Sequence, residues 1–211
     1  MKKYILILLV FAALFASAQN VEVRRSKSIF LFPEFRPAKV MQTFGRHIEV
    51  ERANIAINNG SFVYMQGDSI FTPSNNSILG VQFDSIHIYM RVDGMVMGRV
   101  IASENYNNLL CVTTVDSDIL TEETNRTTAM AFLSMSGSFF ANYDIFDRDE
   151  GYPLCDTYFF SIKGQVFPAI EREVKKHIAP DKKREFRNLM ADRWWTWKNP
   201  ESLVQLLPLF P

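Results

Sequence analysis

The sequence predicts an α+β protein, mainly β: an antiparallel meander in the form of a sandwich, roll or barrel, with C-terminal helices packed on it. Three observations carry this. Apolar residues recur with period two from about Lys39 to Asp116. Asx-Gly pairs at Asn59-Gly60 and Asp93-Gly94 punctuate that stretch where hairpins would turn. After Pro168 the apolar spacing changes to that of helices. The expected organisation is a leader over residues 1–18, a β domain over 19–168 and a helical segment over 169–211 packed on it.

The leader is read from its flanks. Lys2 and Lys3 precede an apolar run from Tyr4 to Phe15, and Ala16-Ser17-Ala18 stands before Gln19. A basic start, a short apolar middle and an A-x-A site describe a secretory signal peptide. The run falls short of the ~20 residues that span a bilayer. The expectation is export to the periplasm or the medium, with no membrane span once the signal is removed.

The chain has 23 basic and 23 acidic side chains; without Lys2 and Lys3, 21 basic stand against 23 acidic, a formal charge of −2. Without a basic cluster there is no electrostatic reason to expect a nucleic-acid partner. Apolar residues at 47% with 13% aromatics place the chain among globular proteins and away from disordered ones.

Ile86-His87-Ile88-Tyr89-Met90-Arg91-Val92 alternates cleanly. It puts four apolar side chains on one strand face and His87, Tyr89 and Arg91 on the other. Asp93-Gly94 then leads into a strand at 95–102, in a turn of the type that needs positive φ at both central residues. Asn59-Gly60 repeats the device before a strand at 61–65. The whole stretch reads as about eight short strands. Asp116 to Gly151 reads as a long polar connection with a strand at 129–135, and a further strand covers 156–166.

Beyond Pro168, Ile170, Val174 and Ile178 fall four apart and mark a first helix ending before Pro180. A second is expected from Asp181 to about Trp197. Asn199-Pro200 supplies an N-cap and first-turn proline for a third, whose Leu203, Leu206, Leu207 and Phe210 form one stripe. In the second helix, Phe186, Leu189, Met190, Trp194 and Trp197 share the core face at 100° per residue. Trp195 falls on the far side and is the one candidate for display, the alternative being that it packs under the third helix.

Motif searches give little chemistry. There is no HExxH, GxSxG, glycine-rich phosphate loop or CxxC. His47, Glu49 and Glu51 alternate along one strand face. Same-face neighbours lie ~6.6 Å apart, so such a row supplies at most two ligands to one metal. Asp144, Asp147 and Asp149 crowd the loop before Gly151, and clustered carboxylates suit calcium. Their spacing departs from the EF-hand pattern, and no other cofactor is expected. Cys111 and Cys155 are candidates for a disulfide, which export permits; two buried free thiols fit the sequence equally.

Several stretches together resemble an uncharacterised family of secreted β-rich proteins of Bacteroidetes, a domain of unknown function. They are the leader ending ASAQ, FRPAKVMQTFG, NIAINNGSFVYM, GVQFDSIHIYMRV, SIKGQVFPA and FRNLMADRWWTWKNPESLVQLL. The resemblance implies a β-rich domain and brings no catalytic residues.

The expected function is accordingly non-enzymatic: recognition of an envelope protein or glycan, with His87, Tyr89, Arg91 and Trp195 as binding residues. The first alternative is a carrier of a small apolar ligand, since 9 methionines and 18 phenylalanines suffice to line a cavity as well as to fill a core. The second is a hydrolase working through His47 or His87.

Overall fold

Consecutive strands pair with one another through most of the chain in the computed structural model, which describes residues 23–73, 77–126 and 150–211. The leader, the strand expected at 129–135 and the acidic run Asp144, Asp147 and Asp149 lie outside the described residues. The strands are β1 (Arg25–Ser26), β2 (Arg36–Gln42), β3 (His47–Ala56), β4 (Ser61–Gln66), β5 (Ser69–Phe71), β6 (Ile78–Gln82), β7 (Ile88–Asp93), β8 (Val96–Glu104), β9 (Asn107–Val115), β10 (Tyr152–Ile162) and β11 (Gln165–Pro168). The helices are α1 (Ser117–Arg126), α2 (Glu171–His177), α3 (Lys183–Met190) and α4 (Pro200–Val204). All strand pairings are antiparallel, in the order β1-β10-β9-β8-β7-β6-β2-β3-β4-β5, with β11 on β10.

One further pairing decides the architecture. Ser61 of β4 pairs with Val96 of β8, Met97 N–H donates to the Gly60 carbonyl at 2.8 Å and Phe62 N–H to the Met95 carbonyl at 3.2 Å. The ring β2-β3-β4-β8-β7-β6 is thereby closed into a barrel. Each of its strands sends a side chain inward: Val40, Ile55, Phe62, Val81, Tyr89 and Met97 are all buried in one cluster. Strands β9 to β11 extend the sheet beyond β8.

Gly60 makes the closure sterically possible. It sits in a left-handed conformation (φ 73°), and a Cβ there would stand 2.9 Å from Val112 and 3.3 Å from Val96. The turn differs from the expected two-residue form. Gly60 N–H donates to Ala56 at 2.9 Å, so four residues, 57–60, join β3 to β4. At Asp93-Gly94 only Gly94 has positive φ. Among the described residues, positive φ at two consecutive turn residues occurs at Phe44-Gly45, Asn105-Tyr106 and Lys163-Gly164.

The polar stretch after Asp116 begins with a helix where a plain connection is expected. Asp116 Oδ1 accepts from Asp118 and Ile119 N–H, both at 3.1 Å, and so caps α1. Only Leu120 joins an apolar cluster, beside Ile57, Val115 and Tyr152; with so short a stripe the helix leaves almost no periodic signal.

The C-terminal elements pack on β9 to β11. Val174, Phe186, Leu203, Leu206 and Phe210 share a core with Leu109, Phe160 and Phe167. The last stripe is buried as the sequence predicts, and Asn199 Oδ1 accepts from Glu201 N–H at 2.9 Å as its cap. Ile170, expected on the buried face of the first helix, is 50% exposed because it is the N-cap, outside the helix. Helix α3 stops at Met190, well before Trp197, where the Asp192 carboxylate takes the Trp194 N–H at 3.0 Å.

The segment from Arg24 to Phe32 is a strap. It starts on β10, where Arg25 and Ser26 face Pro153 and Tyr152, and crosses to the end of β3. There Ile57 N–H donates to Ile29 at 2.9 Å and Leu31 N–H to Ile55 at 2.8 Å. The fully buried Asn54 fixes the strap's end. Its Oδ1 accepts from Phe32 N–H at 3.0 Å, and its Nδ2 donates to the Phe32 carbonyl at 2.9 Å.

Candidate functional site

Antiparallel register aligns Tyr89 of β7, Arg99 of β8, Cys111 of β9 and Tyr158 of β10 in one cross-strand row. Directly paired residues project from the same face. Alternation puts Met97, Thr113 and Asp156 on that face as well. It is the face over which the strap runs. Between strap and sheet lies a cavity of about 400 Å³. Leu31 and Phe32 of the strap, with Ile55, Met97 and Leu154, give it apolar walls, and Arg24, Arg25, His87 and Arg99 also line it.

Most of these charges are matched. Arg24 donates to both oxygens of Asp156, at 2.9 and 2.7 Å, and Thr113 donates to the same carboxylate at 2.5 Å. Burial alone would raise the Asp156 carboxyl, but the bonds from Arg24 and Thr113 outweigh it and hold it below its usual range. Arg25 is paired with Glu123 and donates to the Gly151 carbonyl at 3.2 Å. His87 Nδ1 lies 2.7 Å from Asp84 Oδ2. Contacts from the His87 ring, then from the His87 and Ile86 N–H groups, lower Asp84 to about 2. The Arg36 guanidinium covers Phe32 at 4.6 Å, and Phe32 meets the His87 ring edge-on at 5.4 Å.

Arg99 is different. It is exposed at the edge of the cavity and forms no ion pair with any described residue. Its neighbours in the row are neutral at physiological pH. Burial raises the Tyr89 phenol, against the opposing Arg99 charge. Burial and the Asp156 carboxylate push the Cys111 thiol up to about 12. A thiol so held is a weak donor and not a nucleophile. The arrangement offers one uncompensated cation, neutral donors and an apolar wall, which is equipment for holding a molecule.

The sequence-predicted residues separate here. His87 and Tyr89 both line the cavity. Tyr89 is only 2% exposed and belongs to the barrel interior, so the strand face expected to look outward looks inward. Ile86, expected among the buried apolar residues, is 71% exposed in the loop before β7. Tyr89 turns inward because the inner face of β7 opens into a mixed cavity and is not uniformly apolar, whereas Ile86 lies before the strand, where alternation does not apply. Arg91 is half-buried one alternation step along from Tyr89, opposite Met97.

Trp195 is not the displayed tryptophan. With the helix ended at Met190, it turns in against the C-terminal core and meets Trp197 edge-on at 4.4 Å, its indole N–H buried without a partner among the described residues. Trp194 is the exposed one, at 82%. Cys111 and Cys155 are free thiols. Cys111 faces Tyr158 and Cys155 faces Thr114, an odd offset that puts them on opposite sides of the β9–β10 ladder. Among the described residues no three His, Cys, Asp or Glu side chains gather in a metal-sized group.

Arg24, Arg99, Cys111 and Thr113 as cavity residues, and Asp156 as the partner of Arg24 and Thr113, are missed by motif reading. One signal was present: Arg99 shares the parity of Met97 in a strand, and a lone arginine on the parity of a buried methionine marks an inward polar position. No protein-family model matches this chain, and no curated protein or solved structure is significantly similar to it.

Proposed function

We propose that this is an exported binding protein that holds a small organic ligand in the strapped cavity. The observation that carries the reading is the cavity itself: about 400 Å³, within the range of small-molecule sites, with apolar walls and a few convergent polar groups. Recognition of an envelope protein or glycan, the other expectation, relied on Tyr89 facing outward and on Trp195 being displayed. With both turned inward, the small-ligand reading has the better support. The resemblance of the leader to a secretory signal supports export.

Native mass spectrometry of the full chain, isolated from its own cells without detergent, tests the reading. The expected result is an adduct that leaves on denaturation. A bare chain that stays bare after incubation with a lipid and metabolite extract overturns it.

A further inference from the structure

The charges around the cavity narrow the chemistry of what it takes. Arg24 is neutralised by Asp156 and Arg25 by Glu123. His87 is engaged by Asp84. Arg99 remains, a guanidinium at the edge of the cavity with no acidic partner among the described residues. Beside it in the same cross-strand row stand the Tyr89 hydroxyl and the Cys111 thiol. Behind it the walls are Leu31, Phe32, Ile55, Met97 and Leu154.

Each other class of ligand conflicts with some part of this. A wholly apolar molecule would strip water from the Arg99 head and return no hydrogen bond. A cation would meet Arg99 unscreened. A dianion would bring one charge more than the site leaves unmatched. A uniformly polar molecule would leave the half-buried Leu31, Phe32 and Leu154 surface without a partner. A planar acid head fits the fork of a guanidinium with two parallel hydrogen bonds.

We infer that the cavity takes an amphipathic carboxylate of single negative charge, its head on Arg99 and its apolar body against the half-buried Leu31, Phe32 and Leu154. This rests on the small-ligand reading above. The head stays at the solvent edge, where the guanidinium is already exposed, and the body displaces water from the walls. Arg99 selects the charge and the strap selects for a body thin enough to lie beneath it.

Calorimetric titration of the full chain with four probes tests this: octanoate, 4-phenylbutyrate, octanol and octylamine. Octanoate or 4-phenylbutyrate should bind about tenfold or more tightly than octanol, the worth of one charged hydrogen-bonded contact, and octylamine should bind least. In Arg99→Gln the acids should fall to the level of octanol while octanol is unchanged, and Arg99→Lys should keep part of the difference. Circular dichroism and thermal unfolding establish that both variants fold. Equal affinity for octanol and octanoate, or an Arg99→Gln variant that holds the acids undiminished, overturns the carboxylate assignment and leaves the small-ligand reading standing. If none of the four binds, the carboxylate assignment fails, and the extract experiment alone decides the broader reading.

Discussion

Arg24 and Asp156, 132 residues apart, are joined by two hydrogen bonds of 2.9 and 2.7 Å that fasten one end of the strap to β10. Thr113 completes the carboxylate's partners. Asp156→Ala removes the fastening and strands Arg24. The pair is partly exposed (55% and 23%), so the expected loss at pH 7 is about 1–2 kcal/mol in urea unfolding, at the lower end for a charged contact. The folded-state pKa of Asp156 is lowered. Its stabilisation is therefore full above the unfolded value of ~3.9 and fades as pH falls through the folded one. The unfolding midpoints of wild type and Asp156→Ala should converge as pH is lowered below about 4; a gap that stays constant into acid would show that the carboxylate's charge is not involved.

Gly60 tests the barrel's closure. Gly60→Ala combines a left-handed backbone cost of about 1–2 kcal/mol with overpacking against Val112 and Val96, roughly 1–3 kcal/mol more. Gly94→Ala carries the first cost alone, since nothing lies within 4 Å of its added Cβ. Chemical denaturation should rank Gly60→Ala clearly below Gly94→Ala. Equal losses would mean the seam tolerates a methyl and is looser than described.

The cysteines separate by accessibility. Cys111 is buried with its thiol raised to about 12, while Cys155 is only half-buried. Iodoacetamide at pH 8 should label Cys155 first and reach Cys111 only after unfolding, with both thiols recovered without reductant. Mass spectrometry of the labelled peptides reads the order directly. A mass lower by two hydrogens before reduction would reveal the disulfide that the register forbids.

The tryptophan cluster gives the fourth test. Trp194→Ala removes an exposed ring and should change stability by no more than about 0.5 kcal/mol. Trp195→Ala removes a ring packed on the C-terminal core, and should cost roughly 2 kcal/mol, less than the ~3–5 of a fully buried aromatic. Acrylamide quenching of the single-tryptophan variants should be strongest for Trp194. The reverse order of either measurement would restore the long helix.

What was legible in the sequence is what is written locally. Alternation and turn residues mark the meander, and the spacing of Leu203, Leu206, Leu207 and Phe210 marks the docked tail, because each depends on neighbours a few residues away. Barrel closure depends on Ser61 meeting Val96 across intervening strands, and no local pattern encodes that. The same holds for the cavity, whose walls come from the strap, β3, β7, β8, β9 and β10. Tyr89 shows the limit of binary patterning: an inner face that opens into a polar-lined space no longer reads as apolar, and Ile86 lies outside the strand, where alternation no longer holds. The Trp195 error is geometric. Helical projection holds only while the helix lasts, and a single aspartate side chain ended it.

The strap has a consequence in time. Strands β2 to β9 lie beside partners close in sequence for the most part, so their hairpins can close early. The strap's end can seat on β3 early, through Phe32 and Asn54, but its start must wait for β10, which the chain supplies more than a hundred residues later, and long loops close slowly. The wall that completes the cavity is thus among the last parts to settle during refolding. A chain caught before that moment would have a formed barrel and an open, unroofed face, and would gain its binding capacity in a separate, slower phase than its β-sheet signal.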